Sequence, residues 1–305
     1  MSEILLSTNI LTKKYGRHKA VDKISIRVRK GAVYGLIGRN GAGKTTFLKM
    51  VAGLASPTSG EIRIFGYSGK NLEKIRKRVG CLIEAPGLYG NLSAYENLKM
   101  KCKFCGIDKK GYIEDILDTV GLSDTGKKKT KHFSLGMKQR LGIGLALVGE
   151  PDLLLLDEPI NGLDPQGIVE VRDTILRLQE ERNMTIVISS HILEELSKIA
   201  TDYGIIHQGS LLEEITRDEL MKKCSERLEI TSPNPEKIVP VLDRLGYRKY
   251  QITDREHISI FEHLDQSDKL NAELVLAGIP IRELKVNSEK LETYYLNQTG
   301  GEHHA

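Results

Sequence analysis

Residues 38–46 read Gly38-Arg39-Asn40-Gly41-Ala42-Gly43-Lys44-Thr45-Thr46. This stretch matches the phosphate-loop pattern G-x-x-x-x-G-K-[ST]. The apolar residues 33–37 before it predict a buried strand, and residues 45–54 after it predict a helix. Strand, loop and helix in this order are the context in which the pattern binds phosphate, so the stretch predicts an α/β fold with a nucleotide site.

The chemistry of such a loop is electrostatic. Glycines let backbone N–H groups turn toward phosphate oxygens, and the N-terminus of the following helix adds a partial positive charge. Lys44 would supply a full charge to the β- and γ-phosphates, and the Thr45 hydroxyl is placed to ligate Mg²⁺. We therefore predict that residues 38–46 contact ATP and that Thr45 is a metal ligand.

Two acids follow a second apolar run, Leu153-Leu154-Leu155-Leu156-Asp157-Glu158. The run predicts a fully buried parallel strand that ends at the carboxyl edge of a sheet. Asp157 would hold Mg²⁺ through water, and Glu158 would be the general base that orients the hydrolytic water. The alternative interpretation is a pair of acids that cap a helix.

A third segment reads Ser134-Leu135-Gly136-Met137-Lys138-Gln139-Arg140. With the two stretches above, it makes the chain resemble the ATP-binding cassette family over about residues 1–223. The resemblance implies that this segment is the family's signature motif, which binds the γ-phosphate of ATP held by an opposing subunit. Ser134 would supply a hydroxyl and Gly136 a backbone amide, and the dipole of the following helix would add attraction.

Three further positions match the family. Asn161-Gly162-Leu163-Asp164-Pro165 resembles the loop that crosses between the two nucleotide sites, and Asp164 followed by Pro165 also has the pattern of a helix N-cap. His191 follows a predicted strand at residues 184–189 and matches the switch histidine that contacts the γ-phosphate. Tyr15 stands where the family stacks an aromatic ring on adenine.

Two positions depart from the family pattern. Leu135 and Met137 replace the more common glycine and glutamine of the signature, while its serine and one glycine remain. Glu84 replaces a glutamine that touches Mg²⁺ or the attacking water in most members, and a carboxylate would favour the cation but repel the γ-phosphate. The resemblance thus implies that Glu84 belongs to the nucleotide site and is a metal ligand. Together with residues 133–143, these departures make the chain resemble the branch of the family that confers bacitracin resistance and self-protection against lantibiotics.

The composition fits an energy-supplying subunit better than a whole transporter. The 305 residues carry a net charge of +4 and four cysteines. Their longest apolar runs fall well short of the roughly 18 residues that span a bilayer, and no signal-peptide pattern begins the chain. We expect a cytoplasmic protein held peripherally on the inner face of the cell membrane, with a second copy and a polytopic permease as partners and no nucleic acid.

The chain is expected to form two domains. The resemblance implies a cassette at residues 1–223, which consists of a RecA-like core, an antiparallel β subdomain and a helical subdomain. The β subdomain is expected to contain strands at 4–12, 24–28 and 61–65. The helical subdomain is expected at about 85–150, where Ser93 and Glu96 have the pattern of a capping box at the start of a helix. Residues 224–305 alternate as strand 227–231, helix 235–245, strands 247–253 and 257–262, helix 265–277 and strand 280–286, followed by a helix at 288–297. This order predicts a ferredoxin-like βαββαβ domain, with a regulatory or dimer-stabilising role and simple structural support as the alternatives.

In cassette ATPases, the helical insert and the loop at Glu84 form the groove where a short helix of the permease docks. Leu88, Tyr89, Tyr95 and Leu98 are the candidates for that groove, and packing inside the insert is the alternative.

These patterns together predict an ATPase that powers export of a membrane-active peptide antibiotic of the bacitracin or lantibiotic type. The alternatives are a soluble cassette ATPase that acts on ribosomes or DNA, and a regulatory nucleotide-binding subunit. Ribosome-acting relatives usually carry two cassettes in one chain, and DNA-repair relatives carry long insertions, neither of which occurs here. Glu158 and His191 are both intact, which argues against the regulatory alternative.

Overall fold

The structure, a computed structural model, describes residues 3–224, 227–287 and 294. The chain divides into a first unit of residues 1–217 and a second unit of residues 218–305. Every nucleotide-site residue singled out above lies in the first unit.

The first unit contains eleven strands and seven α-helices among its described residues. The strands are β1 (Ile4–Tyr15), β2 (His18–Ile24), β3 (Arg27–Arg29), β4 (Val33–Ile37), β5 (Ser59–Ile64), β6 (Tyr67–Ser68), β7 (Val79–Leu82), β8 (Leu153–Asp157), β9 (Thr185–Ser190), β10 (Asp202–His207) and β11 (Ser210–Thr216). The helices are α1 (Lys44–Ala52), α2 (Leu72–Ile75), α3 (Ala94–Cys105), α4 (Tyr112–Thr119), α5 (Leu135–Leu147), α6 (Pro165–Arg182) and α7 (Leu193–Ser197).

A six-stranded sheet forms the centre of this unit, in the order β11-β10-β4-β9-β8-β7. All neighbouring pairs are parallel except β10 with β11. Strands β4, β8 and β9 are buried along their whole length, which explains their nearly uninterrupted apolar sequences. The predicted strands at residues 33–37 and 153–156 are therefore confirmed, and the acids at 157 and 158 do not begin a helix.

A smaller antiparallel sheet has the order β2-β1-β5-β6, with β3 also paired to β1. Residues 24–28 do not form the single strand that we predicted. The buried Thr8 hydroxyl donates to Ile24 O and accepts from Ile26 N–H, and this side chain takes the place of ladder bonds where the chain passes from β2 to β3. One core joins both sheets, because Phe47 and Met50 of α1 are buried in the same cluster as residues of β1, β5 and β9.

The helical insert begins at the predicted capping box. Ser93 Oγ accepts from Glu96 N–H, and the Glu96 carboxylate accepts from Ser93 N–H. Leu98 is fully buried, so its assignment to an exposed groove was wrong and the packing alternative holds for it. Tyr89 and Tyr95 are exposed.

The second unit opens with helix α8 (Arg217–Cys224), of which only Arg217 is assigned to the first unit. Its further elements are β12 (Arg227–Thr231), α9 (Val239–Arg244), β13 (Tyr250–Ile252), β14 (His257–Ile260), α10 (Ser267–Leu276) and β15 (Glu283–Asn287). The sheet order is β13-β14-β12-β15 with every pair antiparallel, which confirms the βαββαβ prediction. The predicted helix at 235–245 is a 3₁₀ turn followed by α9, and the one predicted at 288–297 lies, apart from residue 294, outside the described residues.

Candidate nucleotide-binding site

The topology of the central sheet brings four predicted segments to one edge. Strands β4, β9, β8 and β7 are neighbours and run parallel, so their carboxyl ends lie side by side. The loop of residues 38–46 follows β4, His191 follows β9, Asp157 and Glu158 end β8, and Glu84 lies two residues after β7. Ligands of open α/β sheets bind at this edge, so the arrangement favours a single site.

Glycines shape the loop that follows β4. Gly41 and Gly43 have φ angles of 82° and 108°, which side chains rarely adopt. A Cβ on Gly38 would lie 2.6 Å from Ile206 O, and one on Gly43 would lie 2.3 Å from Ala20 O. The loop therefore keeps its backbone N–H groups uncovered by side chains. Around these glycines, Ala42 is buried, Arg39 and Asn40 are exposed, and Thr45 and Thr46 are half-buried.

Lys44, the first residue of α1, is buried in this loop. Its ammonium donates hydrogen bonds to Gly38 O at 2.6 Å and Arg39 O at 3.2 Å. Its Nζ also lies 3.0 Å from Glu158 Oε1, which is an ion-pair distance without hydrogen-bond geometry. A buried ammonium held by carbonyls at a helix N-terminus is arranged to receive a further anion.

Glu158 adopts a left-handed backbone conformation with φ 47° at the end of β8. Its Oε2 lies 2.8 Å from His191 Nδ1, and its backbone N–H donates to Ser189 Oγ at 2.9 Å. The structure therefore brings both predicted catalytic residues into direct contact. A non-glycine residue in this conformation is uncommon.

Asp157 is buried, and its Oδ1 accepts from Ser189 Oγ at 2.6 Å. Among the described residues, no cation lies within salt-bridge distance of its carboxylate. A buried carboxylate that has a hydroxyl donor but no paired cation fits a metal ligand, and carboxylate and hydroxyl oxygens are the donors that Mg²⁺ prefers. Asp157 and Thr45 thus fit Mg²⁺. The described residues contain no group of three or more His, Cys, Asp or Glu that could bind a metal by themselves.

Glu84 takes a different partner from the one expected. It has φ 65°, and its Oε1 lies 2.5 Å from Nζ of Lys49 on α1. Its side chain is 64% exposed. The carboxylate that we predicted to face the metal is thus bonded to a lysine.

The signature segment begins at the N-terminus of α5, and the predicted crossing loop ends at the N-terminus of α6. Ser134 is exposed and caps α5 by accepting from Met137 N–H, and Asp164 caps α6 by accepting from Gly167 N–H at 3.0 Å. Gly136 is buried, and a Cβ built on it would lie 3.3 Å from Gly167 Cα. The two helices therefore begin almost in contact.

Tyr15 ends β1, with an exposed ring and Lys13 Nζ 5.0 Å from the ring centroid. An exposed aromatic face is available for stacking.

Two residues of this region were absent from our predictions. Ser189 bonds both Asp157 and Glu158, and Lys49 bonds Glu84. Ser189 lies at the polar end of β9, two residues before the predicted site residue His191. Its position in the sequence could therefore have indicated a role in the site. Lys49 carries no such signal, because its partner is 35 residues away.

A cavity of about 1000 Å³ belongs to the second unit. It is lined by none of the predicted nucleotide-site residues. A second cavity, of about 350 Å³, lies in the first unit between the end of β7 and α5. Within the described ranges, we find no helix with the length and apolar character needed to cross a bilayer.

Comparison with known proteins agrees with this geometry. The family model described as ABC transporter matches residues 21–161. The chain is 46% identical to the bacitracin transport ATP-binding protein BcrA of Bacillus licheniformis, over 99% of both chains. It is 45% identical to the lantibiotic transport ATP-binding protein SrtF of Streptococcus pyogenes, over 68% of this chain and 89% of that one.

The fold also has solved counterparts. A structure described as the ATP binding subunit of an ABC transporter superposes with a TM-score of 0.62 and 30% identity, covering 72% of this chain and 92% of the other.

Proposed function

The chain belongs to the ABC transporter family and is an ATPase of that family, and from this premise we propose that it powers export of a bacitracin-type peptide antibiotic through a separate membrane permease. The observation that carries the proposal is the 46% identity to a bacitracin transport ATP-binding protein over 99% of both chains, because that match extends through the second unit. The match to the lantibiotic transport protein spans only 210 residues. We therefore favour bacitracin-type over lantibiotic-type cargo.

In the proposed site, the loop at residues 38–46 holds the phosphates of ATP. The Lys44 ammonium neutralises β- and γ-phosphate charge, and the ring of Tyr15 stacks on adenine. Asp157 and Thr45 would hold Mg²⁺, which screens phosphate charge when it is bound. Glu84, whose carboxylate bonds Lys49, lies beside the nucleotide in this proposal, and Asp157 and Thr45 are the direct ligands of the metal.

Glu158 is the proposed general base. Its carboxylate accepts the proton of the attacking water, and His191, at 2.8 Å, orients that carboxylate and contacts the γ-phosphate. Ser189 orients both acids by accepting from Glu158 N–H and donating to Asp157. Such positioned bases contribute roughly 10²–10⁴-fold to rate.

A second copy would complete each site. The Ser134 hydroxyl and the Gly136 amide lie at the N-terminus of α5, where unpaired N–H groups and the helix dipole attract an anion such as the γ-phosphate in a partner subunit. Asp164 would face the same interface from the N-terminus of α6.

The cavity between β7 and α5 is the proposed docking groove for the permease, although its lining includes none of the residues predicted for that groove, Leu88, Tyr89, Tyr95 and Leu98. It is lined mainly by apolar side chains, including Leu54, Pro86, Leu145 and Val148, and by Cys81. It adjoins the Glu84 loop, since Ile83, Ala85 and Pro86 form one wall. A bound permease segment would therefore touch the loop that carries Glu84.

The test is to purify the tagged protein from its own cells in mild detergent and to identify what accompanies it by mass spectrometry. We expect a polytopic membrane protein, and we expect deletion of the gene to lower resistance to bacitracin more than to a lantibiotic. Recovery of ribosomal proteins or nucleic acid without a membrane protein would instead support the alternative, a soluble cassette ATPase that acts on ribosomes or DNA.

A matched pair of exposed cysteines sharpens this test. Cys81 lines the groove, whereas Cys105 lies at the end of α3 and does not. Cys81→Glu should lose the permease while Cys105→Glu keeps it. Loss with both variants, or with neither, would contradict the proposed groove.

A further inference from the structure

The pair formed by Lys49 and Glu84 connects two segments of the nucleotide site. Lys49 lies on α1, five residues after Lys44, and Glu84 lies in the loop after β7. The Nζ to Oε1 distance is 2.5 Å. Lys49 is 32% exposed, so the ammonium is partly withdrawn from solvent.

Lys49 also responds to other charges of the site. The hydrogen bond to Glu84 raises the pKa of Lys49 above its ordinary value, burial opposes this rise, and the charges of Glu84 and Asp157 add to it. Since α1 begins at the phosphate loop, Lys49 lies on the helix that borders the nucleotide site. The lysine is therefore a permanent cation at the edge of the nucleotide site.

An unpaired carboxylate at position 84 would add negative charge where ATP already brings three to four negative charges. The other two acids of the site are compensated differently, Glu158 by Lys44 and His191 and Asp157 by the Ser189 hydroxyl. Among the described residues, Lys49 is the cation within salt-bridge distance of Glu84.

We propose that Lys49 is a positioning residue that holds the Glu84 carboxylate and cancels its charge, so that the pair presents a neutral polar group to the nucleotide. This inference rests on the proposed place of Glu84 beside the nucleotide. It explains how a glutamate can stand at this position without weakening ATP binding. It also ties the loop that borders the docking groove to the phosphate-loop helix.

The test compares Lys49→Met, Glu84→Gln and the double variant with the parent. Affinity for a fluorescent ATP analogue is measured in EDTA at low ionic strength, where binding is read without metal or turnover. Lys49→Met should weaken binding at least about twofold and Glu84→Gln should tighten it at least about twofold, the effect of one charge roughly 8 Å from a single phosphate charge in a watery site. The double variant should return to the parent's affinity, and all shifts should shrink in 0.5 M salt, on the order of a 4 Å screening length.

The matched control is Lys109→Met, which breaks another exposed lysine–glutamate pair, with Glu150. It should leave affinity unchanged. Shifts in the same direction for both single variants would mean that the pair is merely structural, and would overturn the inference. Tighter binding by Glu84→Gln without weaker binding by Lys49→Met would also overturn it while leaving Glu84 at the nucleotide. No effect of Glu84→Gln would remove Glu84 from the site, and with it both the proposed assignment and the inference.

Discussion

Glu158 has a partner on each carboxylate oxygen, Lys44 on one side and His191 on the other. Its left-handed backbone turns the side chain back toward the phosphate loop, and its N–H is fixed by Ser189. A carboxylate held this firmly is suited to accept a proton from one direction.

Glu158→Gln should abolish most hydrolysis while ATP still binds. The amide keeps the size of the side chain but cannot accept the water's proton, so the turnover rate should fall about 10²–10⁴-fold. Steady-state ATPase rates and fluorescent-nucleotide affinity are the measurements. Hydrolysis at the parent's rate would show that another residue is the base.

The sequence predicted single residues well where the motif is local. Lys44, Asp157 and His191 each follow a strand whose apolar run is visible, and the sheet order then brings them together. The bond from Glu84 to Lys49 could not be predicted, because it depends on the distance between β7 and α1 in the folded sheet rather than on spacing along the chain.

Helix α3 shows how one element fixes a neighbouring loop. Ser93 and Glu96 close its N-terminus, and the buried Asn97 bonds the backbone N–H and O of Tyr89. The capping box of Ser93 and Glu96 was predicted from the sequence, whereas the bond from Asn97 to Tyr89 was not. The break between β2 and β3 was not predicted either, since it depends on Thr8 from another strand.

Ser93→Ala should lower the free energy of unfolding by about 1 kcal/mol, because the helix loses its side-chain cap. Denaturant unfolding of this variant and of Ser123→Ala, on an exposed 3₁₀ turn, gives the comparison. An equal loss in both would contradict the capping role.

The cap should also respond to pH. Hydrogen bonds from Ser93, the backbone one first, lower the pKa of Glu96 below its ordinary 4.5. Its carboxylate therefore adds stability above pH 4.5, and this contribution is lost as the pH falls through the lowered folded value. The stability difference between the parent and Glu96→Gln should accordingly disappear in acid.

At the scale of the whole molecule, the proposed composite site draws on two different segments of the chain. The phosphate loop and Glu158 belong to the sheet edge, whereas Ser134 lies at the start of α5. If two copies close on ATP head to tail, each complete site takes one segment from each copy.

Mixing two inactive variants should therefore restore hydrolysis. Lys44→Ala and Ser134→Glu disable different half-sites, so a mixed dimer retains one complete site. Since half of the dimers are mixed, the mixture should reach about a quarter of the parent's rate. A mixture of Lys44→Ala with Glu158→Gln, which disable the same half-site, should stay inactive. No recovery in the first mixture would contradict the composite site.

The near contact of Gly136 and Gly167 has a mechanical consequence. No side chain stands between the first turns of α5 and α6, so neither helix can pivot there without pushing on the other. A movement of the signature segment should then also move Asp164, because the N-termini of α5 and α6 shift together. If a second copy docks as proposed, both loops would therefore engage it, or release it, at the same time.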